Sequence, residues 1–302
     1  MKQASRTLLA GLAGALGLFA STAQAAAASN ACDRACLIGV ADRYVDAMVK
    51  QAPNSLPWAK TVRFSEDGVG VMVGDALWGS IRAANKPVMH AADPSTGQVA
   101  WFGIVEEHGD PAYLALRMKV EGGKISEVET ILSRTAAFGD AHPFLATPLF
   151  RDPLPARQPR AKLIAAVNGY LDSALSKAGK ASTAIAPGCV RTDNGKLIDP
   201  ALGKDCAAQI KLAAFSATDR IRARAFPIVD EARGVVVATG VMDFSARANS
   251  YKTTDGKTHP TATTHPESQA FIQMFRVGPG GIQGVETVFT PVPYLMPSPW
   301  TR

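Results

Sequence analysis

The chain lacks most of the short motifs that announce a chemistry. It has no Gly-x-Ser-x-Gly elbow, no P-loop, no His-Glu-x-x-His and no well-formed dinucleotide fingerprint. Serine hydrolysis through that elbow and cofactor-dependent redox chemistry therefore find no support, and no cofactor is expected. Histidine is scarce, at 5 residues in 302, and the 4 cysteines show no Cys-x-x-Cys spacing. A zinc site lacks its usual ligand pattern, so no metal is expected. Basic residues are scattered, with Arg220, Arg222 and Arg224 the one tight group. Nucleic-acid binding needs a contiguous basic face, which excludes it as an expected partner.

Long apolar runs are missing too, apart from one at the start. Leu8 to Ala20 spans 13 residues, short of the roughly 20 a membrane-spanning helix needs. Lys2 and Arg6 precede it and Ala23-Gln24-Ala25 follows. A positive start, an apolar stretch and a small-x-small site are the order of a secretory signal. Residues 1–25 are read as a signal peptide, with the mature chain periplasmic or secreted and free of the membrane after cleavage. The formal charge of +6 becomes +4 once Lys2 and Arg6 leave.

Export makes disulfides plausible. Cys189 and Cys206 bracket a turn-rich loop whose closure is worth about 3 kcal/mol of unfolded-state entropy. Cys32 and Cys36 stand one helical turn apart, which brings their Cα atoms to about 6 Å. Three pairings exist on paper; spacing favours 189–206 and 32–36.

What is present in abundance is repetition. Leu37, Val40, Ala41, Tyr44, Val45 and Met48 recur at a constant offset as Leu163, Ala166, Val167, Tyr170, Leu171 and Ala174. Both sets follow the spacing of a helix with one buried stripe. Downstream, Glu66-Asp67-Gly68 matches the turn Asp193-Asn194-Gly195, and the β-rich run Val99 to Glu107 matches Val235 to Phe244. Tyr113 to Val120 matches Ala270 to Val277, and Val128-Glu129-Thr130 matches Val285-Glu286-Thr287. The offset grows through insertions in the second copy, among them the polar loop Ser245 to Pro266. Between the copies, residues 135–159 are dense in proline and read as a linker. The units are then 32–134 and 160–302, the second ending in a proline-rich tail from Pro291. That tail cannot be a central strand and is expected on the surface with Tyr294 and Trp300 packed inward.

Each copy opens with an amphipathic helix and closes on a strand that follows a glycine turn and carries Ile-x-x-Val-Glu, Gly123 to Glu129 and Gly281 to Glu286. This resembles the NTF2-like (SnoaL-like) superfamily. The resemblance implies an α+β fold of two cone-shaped units, each a curved antiparallel sheet packed on helices with an open end. The whole chain is also similar to a family of exported fungal and bacterial proteins known as a domain of unknown function. The matching segments are Cys32 to Leu37, Gly74 to Gly79, Ile221-Arg222 with Phe226-Pro227, and Val292 to Tyr294 with Met296 to Trp300.

The candidate catalytic residues are Glu129, Glu286, Asp243 and His90. Strand alternation puts Ile125, Glu129 and Ile131 on one face, and Ile282, Glu286 and Val288 on the equivalent one. A carboxylate desolvated there has a raised pKa suited to proton transfer; the plainer alternative pairs it with Arg117 or Arg276. Asp243 stands alone in an apolar run. His90, with an unperturbed pKa of ~6.5, can act as a base. Trp78, Trp101 and Tyr113 are candidates to line one pocket beside His90, and Arg222 to bind a carboxylate or sugar acid. His259 and His265 give a weak metal signal in a loop that can lid the second pocket.

Fold alone does not select a function. The leading expectation is an exported, cofactor-independent lyase, dehydratase or isomerase acting on a small aromatic or oxidised sugar by carboxylate or histidine proton transfer. The rival is a non-catalytic small-ligand-binding or assembly module. The expected partner is a small molecule, and a homodimer is compatible with either.

Overall fold

The computed structural model describes residues 32–134, 144–145 and 147–301. The signal peptide expected over 1–25 and the linker residues 135–143 and 146 lie outside the described residues. Among the described residues no helix is long and apolar enough to cross a membrane.

Asp33 caps helix α1 (Arg34–Val49), its carboxylate accepting the Cys36 amide at 2.8 Å; such a cap satisfies one of the free amides of the first turn. The stripe Leu37, Val40, Ala41, Tyr44, Val45 and Met48 is buried throughout. Then follow β1 (Trp58–Glu66), β2 (Val69–Gly70), the one-turn helix α2 (Leu77–Ser80), β3 (Ile81–Ala84), β4 (Met89–Asp93), β5 (Gln98–Glu107), β6 (Asp110–Glu121) and β7 (Lys124–Ser133). They form a seven-stranded sheet in the order β2-β1-β7-β6-β5-β3, with β4 also on β5.

The second repeat retraces that path. Helix α3 (Arg160–Ala174) buries Leu163, Val167, Tyr170, Leu171 and Ala174. After it come β8 (Ile185–Asp193), β9 (Lys196–Leu197), α4 (Cys206–Lys211), β10 (Arg220–Asp230), β11 (Val235–Phe244), β12 (Ser250–Lys252), β13 (Thr258–Pro260), β14 (Glu267–Gly278) and β15 (Gly281–Pro293). Six of these strands pair in the order β9-β8-β15-β14-β11-β10, while β12 and β13 form a separate hairpin within the inserted loop. The chain is mixed α+β, mostly sheet with few helices.

Two expectations need correcting. The sheets are not wholly antiparallel: β1 runs parallel to β7, and β8 to β15. Each of those pairs joins the first strand of a repeat to its last, far apart in sequence, so no hairpin dictates the direction. The proline-rich tail stays out of a central position as expected: Pro291 and Pro293 extend β15 against Gln269 and Glu267 of β14 alone. Pairing with β8 ends at Thr287, so beyond it β15 is an edge, where a proline without an amide proton removes nothing from the ladder. Tyr294 is partly exposed rather than packed inward.

The two sheets lie face to face, with a helix on the outer face of each. Met89, Phe102, Tyr113 and Ile131 from the first sheet share a core with Ile228, Val237, Ile272 and Val288 from the second. Phe144, Leu145 and Phe150, from the stretch read as linker, close that core. On the far faces, α1 packs over Trp78, Trp101, Val128 and Leu132, and α3 over Val236, Phe275, Ile282 and Val285. The order of layers is helix, sheet, sheet, helix. Gly169 of α3 has no side chain because a Cβ there would stand 2.9 Å from the Ser182 carbonyl oxygen.

Both disulfides form as the spacing favours. Cys32 pairs with Cys36 and Cys189 with Cys206, at Cα separations of 5.2 and 5.3 Å. The second ties β8 to α4, and both its sulfurs are buried under α3.

Candidate functional site

The paired carboxylates Glu129 and Glu286 do not line the helix-side interiors. A register shift lies between Lys119 and Val120 where β6 meets β7, and another between Arg276 and Val277 where β14 meets β15. Each adds one residue to the last strand, at Ser126 and Gln283, and an extra residue reverses the facing of everything beyond it. Ile125 and Ile282 therefore face α1 and α3, whereas Ile131 and Val288 face the seam between the sheets. Glu129 and Glu286 go with the second group.

Their surroundings then diverge. Arg117 donates from Nε to Glu129 at 2.8 Å, and from Nη1 to Gln98 and Glu127, each at 2.8 Å. Burial raises the Glu129 pKa while Arg117 opposes it. The Arg117 guanidinium stacks 4.3 Å from the Trp300 ring, whose Nε1 donates to Ser65 at 2.9 Å. At Glu286 the pull of Arg191 is the smallest of the influences on the carboxyl. Glu286 accepts from Thr192 Oγ1 at 2.6 Å and from the Gly195 amide at 3.3 Å, and full burial pushes its pKa well up. Arg276, the partner anticipated for it, donates to the backbone carbonyls of Asp152 and Arg233 instead.

Asp243 is a held anion. It accepts from Arg220 Nε at 2.6 Å, Arg222 Nε at 3.0 Å and Ser268 Oγ at 2.6 Å. Burial works against the charge, yet the hydrogen bonds from Arg222, Ser268 and Arg220 keep the carboxyl below its usual range. Arg222, expected to bind substrate, also donates to the Met296 carbonyl at 2.7 Å, so its guanidinium is committed within the protein.

Of the four residues expected around one pocket, three share the α1 side. Trp78 and Trp101 are both buried in that core, and Trp78 donates to the Tyr44 hydroxyl at 3.2 Å. His90 lies beside α1, its Nε2 2.8 Å from Asp42 Oδ1; burial lowers its pKa against the pull of Asp42. Tyr113 points the opposite way, into the seam. The interior under α1 is filled by Tyr44 packed edge-on to Trp58 and Trp78, at 6.1 and 5.4 Å. Under α3, with Arg191 stacked on Phe215, the remaining cavity is about 20 Å³.

One titratable group escaped the sequence reading. Glu66, taken only as part of a turn, ends β1 as a buried residue with its Oε2 accepting the Leu77 amide at 3.1 Å. Burial raises its pKa to about 7, Leu77 and Arg134 pull it down, and Asp67 pushes it further up. The available signal was its place after Phe64 on a strand, which the adjoining Asp67-Gly68 turn obscured.

Open space lies elsewhere: a shallow groove of about 590 Å³ runs along β1 past Arg63, Met72 and Trp300, and a smaller recess lies beside the inserted loop. A recess of about 150 Å³ opens between Ser216–Asp219 and the loop, lined by Ser245, Arg247, Ser250, Tyr251, Thr261 and Thr263 among others. Tyr251 stacks on His259 at 5.7 Å and 30°. His265 stands 3.7 Å from Glu267. Among the described residues no cluster could hold a metal ion. Arg247 has no acidic partner among the described residues, unlike Arg220, Arg222 and Arg224. Sequence reading found the loop but not this arginine, because nothing in the local pattern says which cation stays unpaired.

A family model described as "Domain of unknown function (DUF8021)" matches residues 30–132 and 156–289, one segment in each repeat. A search of curated proteins finds no match.

Proposed function

The chain belongs to the DUF8021 family, and we propose that it is an exported small-ligand-binding protein of two NTF2-like units, with the recess beside the inserted loop as its site. The NTF2-like reading is supported by a helix laid across each sheet and by the parallel pairing of first and last strands in both repeats. Two disulfides suit an oxidising compartment, in keeping with a periplasmic or secreted protein whose partner is a small molecule.

The observation that carries binding is the contrast between filled interiors and the open recess. Both helix-side interiors are packed with their own aromatic side chains, leaving a substrate no room beside Trp78, Trp101 or His90. The recess combines enclosure, hydroxyl groups and one unpaired guanidinium, the few convergent polar groups that mark ligand sites. The test is a thermal-shift screen of the mature chain against small metabolites, run beside Ser250→Trp, whose indole fills the recess. Hits that vanish in the variant support the reading. Hits indifferent to it, or none at all, overturn it.

One observation favours a second reading, the cofactor-independent lyase, dehydratase or isomerase. Glu66 has a pKa of about 7, the poise of a general acid or base, and sits near Tyr44. Turnover of pooled aromatic dimers, uronates or keto-sugars that disappears in Glu66→Gln would establish it. Unchanged masses across the pool would remove it.

A further inference from the structure

We infer that the recess takes the monocarboxylic acid of a single six-carbon sugar, a uronate or its open-chain equivalent. The inference rests on the binding reading above and names the ligand class.

Size sets the first bound. A closed cavity of 150 Å³ holds one benzene ring. A recess of about 150 Å³ with an open mouth therefore seats one six-membered ring within its walls.

Charge sets the next. Arg247 is exposed at the recess and has no acidic partner among the described residues, and a guanidinium matches a carboxylate in shape and charge. Asp219 lines the same recess. Its Oδ2 accepts the Ser245 amide at 2.5 Å, while Oδ1 has no donor among the described residues. One free cation and one carboxylate together suit a monoanion that also carries hydroxyl donors.

The remaining polar groups are hydroxyls with complementary vacancies. Ser216 donates to the Ala213 carbonyl at 2.6 Å, Thr261 to Thr263 O at 2.8 Å and Thr263 to His265 O at 2.7 Å. Their protons are engaged, so towards the recess they act as acceptors, Thr263 with one lone pair left beside the His265 amide. The hydroxyls of Ser245 and Ser250 have no partner among the described residues and are free to donate. A polyol meets both kinds of group; an aromatic acid would leave them without partners. Tyr251, backed by His259, and Phe244 supply ring faces against which sugar C–H groups pack.

The experiment is isothermal titration calorimetry on the mature chain with D-glucuronate, D-glucose, D-glucose 6-phosphate and benzoate, repeated on Arg247→Gln and Ser250→Trp. Glucuronate should bind about tenfold or more tightly than the other three, as expected for a charged hydrogen bond. Arg247→Gln should remove that advantage and leave glucose unchanged, and Ser250→Trp should abolish binding. Equal affinity for glucose or benzoate, no effect of Arg247→Gln, or no binding of any probe overturns the ligand class. If no probe binds yet the metabolite screen yields hits lost in Ser250→Trp, the recess stands as the site and only the class falls. Glucuronate binding that survives Ser250→Trp overturns both.

Discussion

Tyr113 of the first repeat meets Glu286 of the second across the seam between the sheets, and the tyrosine hydroxyl is pushed up in pKa by its burial and by that carboxylate. Neither side chain faces a helix-side interior. Together with Thr192 and the Gly195 amide, Tyr113 places polar groups in an otherwise apolar interface. Two buried acids of raised pKa are most stable there in their neutral forms, with a shared hydrogen bond in place of charge.

Glu286 should therefore make the protein less stable as pH rises. Its folded pKa lies well above the unfolded value, so between the two the native state holds a proton that the unfolded chain releases. Stability falls by about 1.4 kcal/mol per pH unit across that window. Glu286→Gln removes the proton uptake. In urea unfolding, its stability relative to wild type should be higher at pH 8 than at pH 5.

Asp243 should behave in the opposite sense. Its folded pKa is depressed, so its contribution is present above the unfolded value near 4 and is lost as pH falls through the folded one. Asp243→Asn takes the anion from Arg222, whose guanidinium is largely buried, and should destabilise the protein at pH 7. Urea unfolding should show the gap narrowing below about pH 4.

Glu66 should titrate with a midpoint near 7 when its carboxyl carbon is followed by NMR. Asp67→Asn removes a charge that raises the value and should lower the midpoint. Arg134→Gln removes one that lowers it and should move the midpoint up.

The disulfides should differ in worth. The 189–206 bridge spans 17 residues and the 32–36 bridge 4. Loop entropy gives about 3 kcal/mol for the first and about 2 kcal/mol for the second. Guanidinium unfolding of the two double Cys→Ser variants should reproduce that order.

The duplication, the long helices α1 and α3, the disulfide pairing and the main strands are all legible in the sequence. These features depend on spacing along the chain. The Leu37 to Met48 stripe is a period of 3.6, Val235 to Phe244 is a bounded apolar run, and Cys32 and Cys36 are one turn apart. None of them needs knowledge of a distant partner.

The candidate site was legible only in pieces. Glu129 and Glu286 were found as equivalent residues, and they are: Arg117 and Met274 oppose them at matching positions of the preceding strands. Their facing was misread because alternation carries no mark of the extra residue at Ser126 or Gln283. Arg222 was read as a ligand for substrate because its bond to Asp243 spans two strands whose register is a tertiary fact.

The sequence by itself determined the repeated unit, its local periods and its covalent links, because each is a relation between residues close in the chain. Tertiary structure alone decided that the two sheets would bury their inner faces against each other, with Phe144 and Phe150 sealing the seam. It also decided which charges would be neutralised and which would stay free. Arg220, Arg222 and Arg247 are alike as residues. They differ in what stands within 4 Å, and that is set by strand pairing and loop placement over long sequence separations.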